Sequence, residues 1–198
     1  EEIDATEIII YAPDHPGLFA AIAGAMALAG ASVVNAKVMT MSNGMAFDVF
    51  RIQDSFGNAF SSADRLVRLK KCIQKSLSGR LQSARELTEA QKFSNQSHIK
   101  NFSIPTRVLI DNKASTRQTV IEINGRDRLG LLHDLTAFLT ESSLQISSAH
   151  ISTYGARVVD VFYVRDIFGL KLDNEEKLDF LHNGLLKTVS SDVGIKAA

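Results

Sequence analysis

The sequence predicts an α+β fold in which antiparallel strands carry helices on one face, and it predicts this fold twice in one chain. Three observations lead there. Residues 6–57 and 119–169 superpose as an internal repeat. Within each copy, β-rich runs flank a stretch whose apolar residues recur three and four apart. Chain-breaking residues fall at the junctions. Asp14, Gly17 and Leu18 fall on Asp127, Gly130 and Leu131 at an offset of 113 residues (127 − 14). Asp48-Val49-Phe50, Asp54 and Phe56-Gly57 fall on Asp160-Val161-Phe162, Asp166 and Phe168-Gly169 at 112 (160 − 48). A slip of one residue between two copies of a fold is absorbed in a surface turn.

Each copy opens on a strand, Thr6–Tyr11 or Thr119–Ile123. The turns that follow, residues 12–17 and 124–130, hold Pro, Gly and Asn breakers, and Asp14 and Asp127 stand where they are expected to cap a helix. Leu18, Ile22, Met26 and Ala29 then form one helical face, as do Leu131, Leu135, Phe138 and Leu139. The first of these helices is rich in small residues (Ala20, Ala21, Ala23, Gly24, Ala25, Ala27, Ala29), which allows close approach to a sheet or a second helix.

Two further strands per copy are expected. They are Val33–Met41 and Met45–Gln53 around Ser42-Asn43-Gly44, and Ile146–Thr153 and Val158–Arg165 around residues 154–157. A second helix spans 62–78, with Leu66, Leu69, Ile73 and Leu77 on one face, and 174–189, with Leu178, Leu181, Leu185 and Val189. Thr106–Asp111 is expected to close the first sheet. The second copy has only residues 193–198 left, so it either closes without a fourth strand or borrows an edge from its neighbour. With closing strands each copy reads βαββαβ, the ferredoxin-like arrangement. Between them lies a polar stretch, where residues 80–92 extend a helix and 93–103 form a linker. The first unit is thus placed at 1–111, including the linker at about 80–105, and the second at 112–198.

Composition narrows the function. The chain has 198 residues, with 22 Lys and Arg against 22 Asp and Glu, so no broad basic field exists for nucleic acid or an anionic membrane. A hydrophobic fraction of 45% supports a buried core. Cys72 is the single cysteine, which excludes an internal disulfide and a cysteine-rich zinc site and fits a reducing cytosol. No stretch approaches the roughly 20 apolar residues of a membrane helix, and the acidic start is unlike a secretory signal. The expectation is a soluble cytoplasmic protein.

The order of a strand, Asp-x-x-Gly-Leu at a helix start, and a hairpin ending in Asp-x-Phe-x-x-x-Asp-x-x-Gly resembles the ACT domain, a small regulatory module whose family binds amino acids. Residues 12–19 with Ile22-Ala23-Gly24-Ala25, and residues 124–128 with Gly130-Leu131-Leu132, are most similar to the C-terminal tandem ACT region of the bacterial PII uridylyltransferase/uridylyl-removing family. That resemblance implies a regulatory region that senses glutamine or another small amino acid. It would control uridylylation and deuridylylation of the nitrogen-signalling protein PII by catalytic domains outside these residues. It implies no cofactor in this chain, although the family's catalytic domains use a divalent metal such as Mg. It also implies pairing of ACT units within one chain or between two chains.

The ligand-binding residues that follow are Asp14, His15, Gly17, Leu18 and Phe19 in the first turn and Asp127, Arg128, Gly130 and Leu131 in the second. Partner-strand residues Asn35, Ala36, Ser148 and Ala149 join them. The family pattern often has Pro before the Gly. Leu129 stands there in the second copy, which favours the first turn as the ligand site. The physics agrees with the resemblance. Glycine lets the backbone bend and a ligand approach, the helix start offers N–H groups to a carboxylate, and an Asp can accept an ammonium. A rival reading is a stand-alone dimerisation or interaction module with empty turns.

No nucleophile elbow, phosphate loop or dinucleotide fingerprint occurs, and no catalytic residue or metal site is expected. His133-Asp134 lacks a second His-Asp set at helical spacing, and both are expected on a helix surface. Asp48, Asp54, Asp160 and Asp166 are expected to shape strand ends, Arg126, Arg128 and Arg157 to lie on a solvated surface, and Cys72 to sit near the core.

Overall fold

A computed structural model describes residues 4–81, 83–94 and 104–191, with the side chains of Ser83 and of residues 92–94 left aside; the linker from 95 to 103 and the tail from 193 to 198 lie outside the described residues. In order along the chain come β1 (Thr6–Pro13), α1 (Leu18–Leu28), β2 (Ser32–Lys37), β3 (Met45–Gln53), α2 (Ala63–Leu77) and α3 (Ser83–Ser94). They are followed by β4 (Arg107–Asp111), β5 (Thr119–Arg126), α4 (Leu131–Glu141), β6 (Leu144–Tyr154), β7 (Arg157–Asp166) and α5 (Glu175–Ser190). The class is α+β, as expected. All seven strands form one antiparallel sheet in the order β1-β3-β2-β6-β7-β5-β4.

One face of the sheet is buried under the helices because strand parity puts large apolar residues there. Along β3, Ala46, Phe50 and Ile52 are buried at alternate positions, and Val158, Phe162 and Val164 match them on β7. The core runs unbroken across both repeats. At the middle of the sheet β2 pairs with β6, setting Asn35 opposite Ser152, Ala36 opposite Ile151 and Lys37 opposite His150. Above this seam α1 packs against α4, where the small residues of α1 permit close contact. The pairing of the two repeats therefore lies within one chain.

The closing strand departs from expectation. Residues 107–111 do not close the first repeat; β4 pairs with β5, Val108 opposite Ile123 and Ile110 opposite Ile121. This gives β4-β5-β7-β6, the ferredoxin-like strand order with the last position filled from upstream. The first repeat keeps three strands, β1-β3-β2. The reason is burial: Val108 is held beneath α5, which packs on both β4 and β5. The second repeat thus takes its fourth strand from the segment joining the repeats. β2 is also shorter than expected. It ends at Lys37, because Met39 and Met41 turn outward into a loop that bonds back through Phe47 N to Met39 O and Met41 N to Met45 O.

The ends of α1 and α4 differ instructively. After α1, Gly30 takes φ +80. The same place after α4 is Ser143, the only non-glycine residue with positive φ among the described residues, at φ 60. Glycine has no Cβ to clash in this left-handed conformation. Ser143→Gly is therefore expected to stabilise the chain by about 0.5–1 kcal/mol in urea denaturation, whereas Gly30→Ser should cost a similar amount.

Candidate functional site

Both repeat turns enter their helices through a left-handed glycine, Gly17 at φ 84 and Gly130 at φ 76, and neither helix has a side-chain cap. The expected Asp caps are absent because each Asp sits three residues before its N-cap and the glycine turns it away from the helix axis. The amides of Leu18 and Leu131 bond back to His15 O and Arg128 O at 3.1 Å, the next two amides of each helix have no intrahelical partner and no capping side chain, and neither Asp is used as a cap.

Asp14 spends its carboxylate locally, accepting a bond of 2.5 Å from Thr40 Oγ1. Asp127 has no hydroxyl partner among the described residues; its carboxyl is met by the backbone N–H of Arg128. Its repeat counterpart of Thr40 is Thr153, whose hydroxyl donates instead to Val33 O across the seam at 3.2 Å. The second turn consequently stays open. It lines a cavity of about 90 Å³ formed with Ala23 and Ala27 of α1, Ser32 and Val33 of β2, and Asp160 of β7. At the first turn, Asp14, Leu18 and Phe19 meet Ile146 of β6 and Asp48 of β3 around only about 20 Å³. Each cavity is completed by the other repeat, so the two sites are related as the repeats are.

The partner-strand contribution comes from earlier in each strand than expected. Val33 and Ile146, each just before a β-bulge, line the cavities. Asn35, Ala36, Ser148 and Ala149 line neither one; Ala36 and Ala149 are wholly buried in the sheet. His15 is exposed, with Nδ1 3.0 Å from Pro16 O. Gly130 and Leu131 lie on the larger cavity and Leu18 and Phe19 on the smaller, while Gly17 approaches Thr140 of α4.

Arg128 fastens the second turn. Its Nη1 lies 2.6 Å from Asp134 Oδ2, and its Nη2 donates to Thr188 O near the C-terminal end of α5 at 3.2 Å. Its Nε is buried without a partner among the described residues. Gln91 of α3 donates to Leu129 O at 2.9 Å, and Leu87 packs on Gly130. Nothing comparable from the described linker covers the first turn. Arg128 is therefore an organised ion-pair partner, not part of the solvated surface expected for it. His133 is also buried, contrary to its expected surface position, because it forms part of the cavity wall; its Nδ1 lies 3.1 Å from Asp134 Oδ1. Burial pushes the Asp134 carboxyl up, but the bonds from His133 and Arg128 outweigh it and hold it below its usual range.

Two of the four carboxylates expected to shape strand ends do not do so and become functional candidates instead. Asp48 and Asp160 lie on the core-facing parity of β3 and β7, between Ala46 and Phe50 and between Val158 and Phe162. They are 3% and 1% exposed. Their repetition is visible in the sequence; the signal that separates them from Asp54 and Asp166 is that each stands at the core-facing parity of its strand. Each accepts one long backbone bond of 3.4 Å, from Met39 N or Ser152 N. Burial raises both carboxyls, Asp48 to about 6 and Asp160 to about 7, with Asp14 and Asp127 respectively adding to the rise. Asp127 is likewise raised by burial to about 6, against the pull of Arg128. Asp54 and Asp166 do shape strand ends. Asp54 Oδ1 accepts from Phe56 N and Asn58 N, and Asp166 Oδ1 from Phe168 N and Leu170 N. Among the described residues, no three His, Cys, Asp or Glu side chains gather as metal ligands, and no helix is long and apolar enough to cross a membrane. Cys72 is half-buried against the core.

Paired βαββ repeats whose helices begin at glycine turns, with cavities completed across the seam, define ACT-type architecture. The family model for the ACR family N-terminal ACT domain matches residues 114–192, about two fifths of the chain. The chain as a whole is similar to one region of bifunctional uridylyltransferase/uridylyl-removing enzymes. It is 54% identical over 93% of its length to that of Azospirillum brasilense, 49% over 96% to that of Gluconobacter oxydans, and 41% over 100% to that of Ruegeria pomeroyi. It spans about a fifth of the length of these relatives.

Proposed function

We propose that the chain is the amino-acid-sensing regulatory region of a cytoplasmic uridylyltransferase/uridylyl-removing enzyme, that its ligand is glutamine, and that occupancy sets the balance between uridylylating and deuridylylating PII. The observation that carries this reading is the cavity where the second turn meets β2 of the other repeat. It offers a zwitterion both poles: uncapped amides at the start of α4 for the carboxylate, and Asp127 with Asp160 for the ammonium. Ser32 supplies a hydroxyl for a side-chain amide. Charge-assisted bonds contribute roughly 1.5–3 kcal/mol each, and immobilisation of the ligand offsets much of their sum, so the affinity is moderate, as a sensor of an abundant metabolite requires. A ligand touching both repeats favours one arrangement of them, and a coupling of about 1–3 kcal/mol suffices to bias attached catalytic domains.

Calorimetric titration with the common amino acids tests this. L-glutamine is expected to bind. Asp127→Asn should weaken it by about tenfold, in keeping with the loss of one charge-assisted bond, while Asp14→Asn, whose carboxylate is held by Thr40, should change affinity less than about twofold. Binding of another amino acid with no response to glutamine would reject the ligand assignment. Equal losses in the two variants would reject the preference for the second turn.

A further inference from the structure

The larger cavity holds an electrostatic imbalance that the amino-acid reading leaves unexplained. Asp127 and Asp160 both line it, and Asp160 is 1% exposed. A buried carboxylate requires a cation, good hydrogen bonds or a proton. The hydrogen bond recorded for Asp160 is the 3.4 Å contact from Ser152 N, at the long end of the useful range. The titratable and charged groups on the cavity wall are Asp127, Arg128, His133 and Asp160; α1 contributes only alanines, β2 contributes Ser32 and Val33, and β6 contributes Ile151 and Thr153. Arg128 is drawn away by Asp134 and by the end of α5, and His133 lies against Asp134. Arg128 pulls on Asp127, and neither Arg128 nor His133 acts on Asp160.

We propose that Asp127 and Asp160 share one proton in the free chain and exchange it for the ammonium of the bound ligand, so that occupancy of this cavity releases a proton. The exchange balances. A carboxylic acid O–H gives its proton to solvent, the ligand's ammonium keeps all three of its own, and one positive charge replaces another between the two carboxylates. Two like charges in a shared site cannot both ionise cheaply, and burial raises both groups in the required direction. The first turn provides an internal contrast. Asp14 and Asp48 repeat the pair, but the Thr40 hydroxyl already occupies Asp14 and the space is about 20 Å³. The inference rests on the amino-acid reading and adds to it a dependence on pH: acid competes with ligand.

The test combines two measurements on the 198-residue chain. Carbon-13 carboxyl NMR of the free chain should show one carboxyl of the pair still protonated near pH 6, with Asp160→Asn removing the part of that signal that titrates near 7 and leaving only the share of Asp127. Titration of L-glutamine at pH 6.5 in phosphate and in Tris should give heats differing by the ionisation heat of about half to one proton. Affinity should fall by up to about tenfold per pH unit between pH 7 and 5, and Asp160→Asn should bind with a buffer dependence cut to less than half of that of the natural sequence. Both carboxyls ionised at pH 6 in the free chain, or buffer-independent heat in the natural sequence, would overturn the proposal while leaving the amino-acid reading intact. No heat with any amino acid would overturn both.

Discussion

Replacing Phe162 with alanine is expected to lower the unfolding free energy by about 3–5 kcal/mol, a large share of the roughly 5–15 kcal/mol available to a domain. Phe162 is wholly buried on β7, where it faces Ile121 on β5 and Ala149 on β6. Truncation removes its contacts and leaves a void that three backbone-constrained strands cannot collapse to fill. Phe50 holds the matching place on β3, with its ring 5.8 Å from that of Phe19, and Phe50→Ala should cost a similar amount. Either change should lower one shared transition, not half of a biphasic curve, because the β2–β6 seam and the α1–α4 contact make a single core. Urea denaturation followed by far-ultraviolet circular dichroism decides this. Two resolved transitions, with only one moved by Phe162→Ala, would show that the repeats fold separately.

Much of this architecture is legible in the chain. The turns at Asp14–Gly17 and Asp127–Gly130 and the apolar faces of α2 and α5 are local patterns, and the structure places α2 at Ala63–Leu77 and α5 at Glu175–Ser190 against expected spans of 62–78 and 174–189. The partner of β4 was not legible, because Arg107–Asp111 reads as a strand whichever edge it joins; the choice is made by α5, distant in sequence, covering Val108. The site divides along the same line. Asp127, Arg128, Gly130 and Leu131 follow from the turn motif, but Ser32, Val33 and Asp160 are brought to them only by the seam and by strand pairing. The difference between the turns also rests on a contact distant in sequence: Thr40 donates to Asp14, whereas Thr153 donates to Val33 O. Leu129, whose departure from the family pattern favoured the first turn, serves the second by presenting its carbonyl to Gln91.

The buried carboxylates carry a second large effect, on stability. Asp160 is raised from 3.8 to about 7 in the folded chain by burial, with Asp127 adding to the rise. The folded state therefore binds more protons than the unfolded chain between about pH 4 and 7, and stability falls as pH rises through that window. Asp48 and Asp127, each raised to about 6, act in the same direction. Asp134 and Asp54, both lowered, act oppositely, but their contribution is present above the usual carboxylate range and is lost only on acidification below it. Between pH 5 and 8 the raised groups dominate. Asp160→Asn removes the largest of them and also relieves Asp127 of a like charge. The difference in unfolding free energy, variant minus natural chain, is expected to rise by about 2–4 kcal/mol from pH 5 to pH 8, at 1.36 kcal/mol per unit of pKa shift. Using that difference cancels whatever the amide gains or loses in packing, because packing does not change with pH. Urea denaturation of both proteins at pH 5, 6, 7 and 8 measures it. Parallel stability curves would mean that Asp160 stays ionised throughout, with a cationic partner or a deeper set of hydrogen bonds than the single long contact from Ser152.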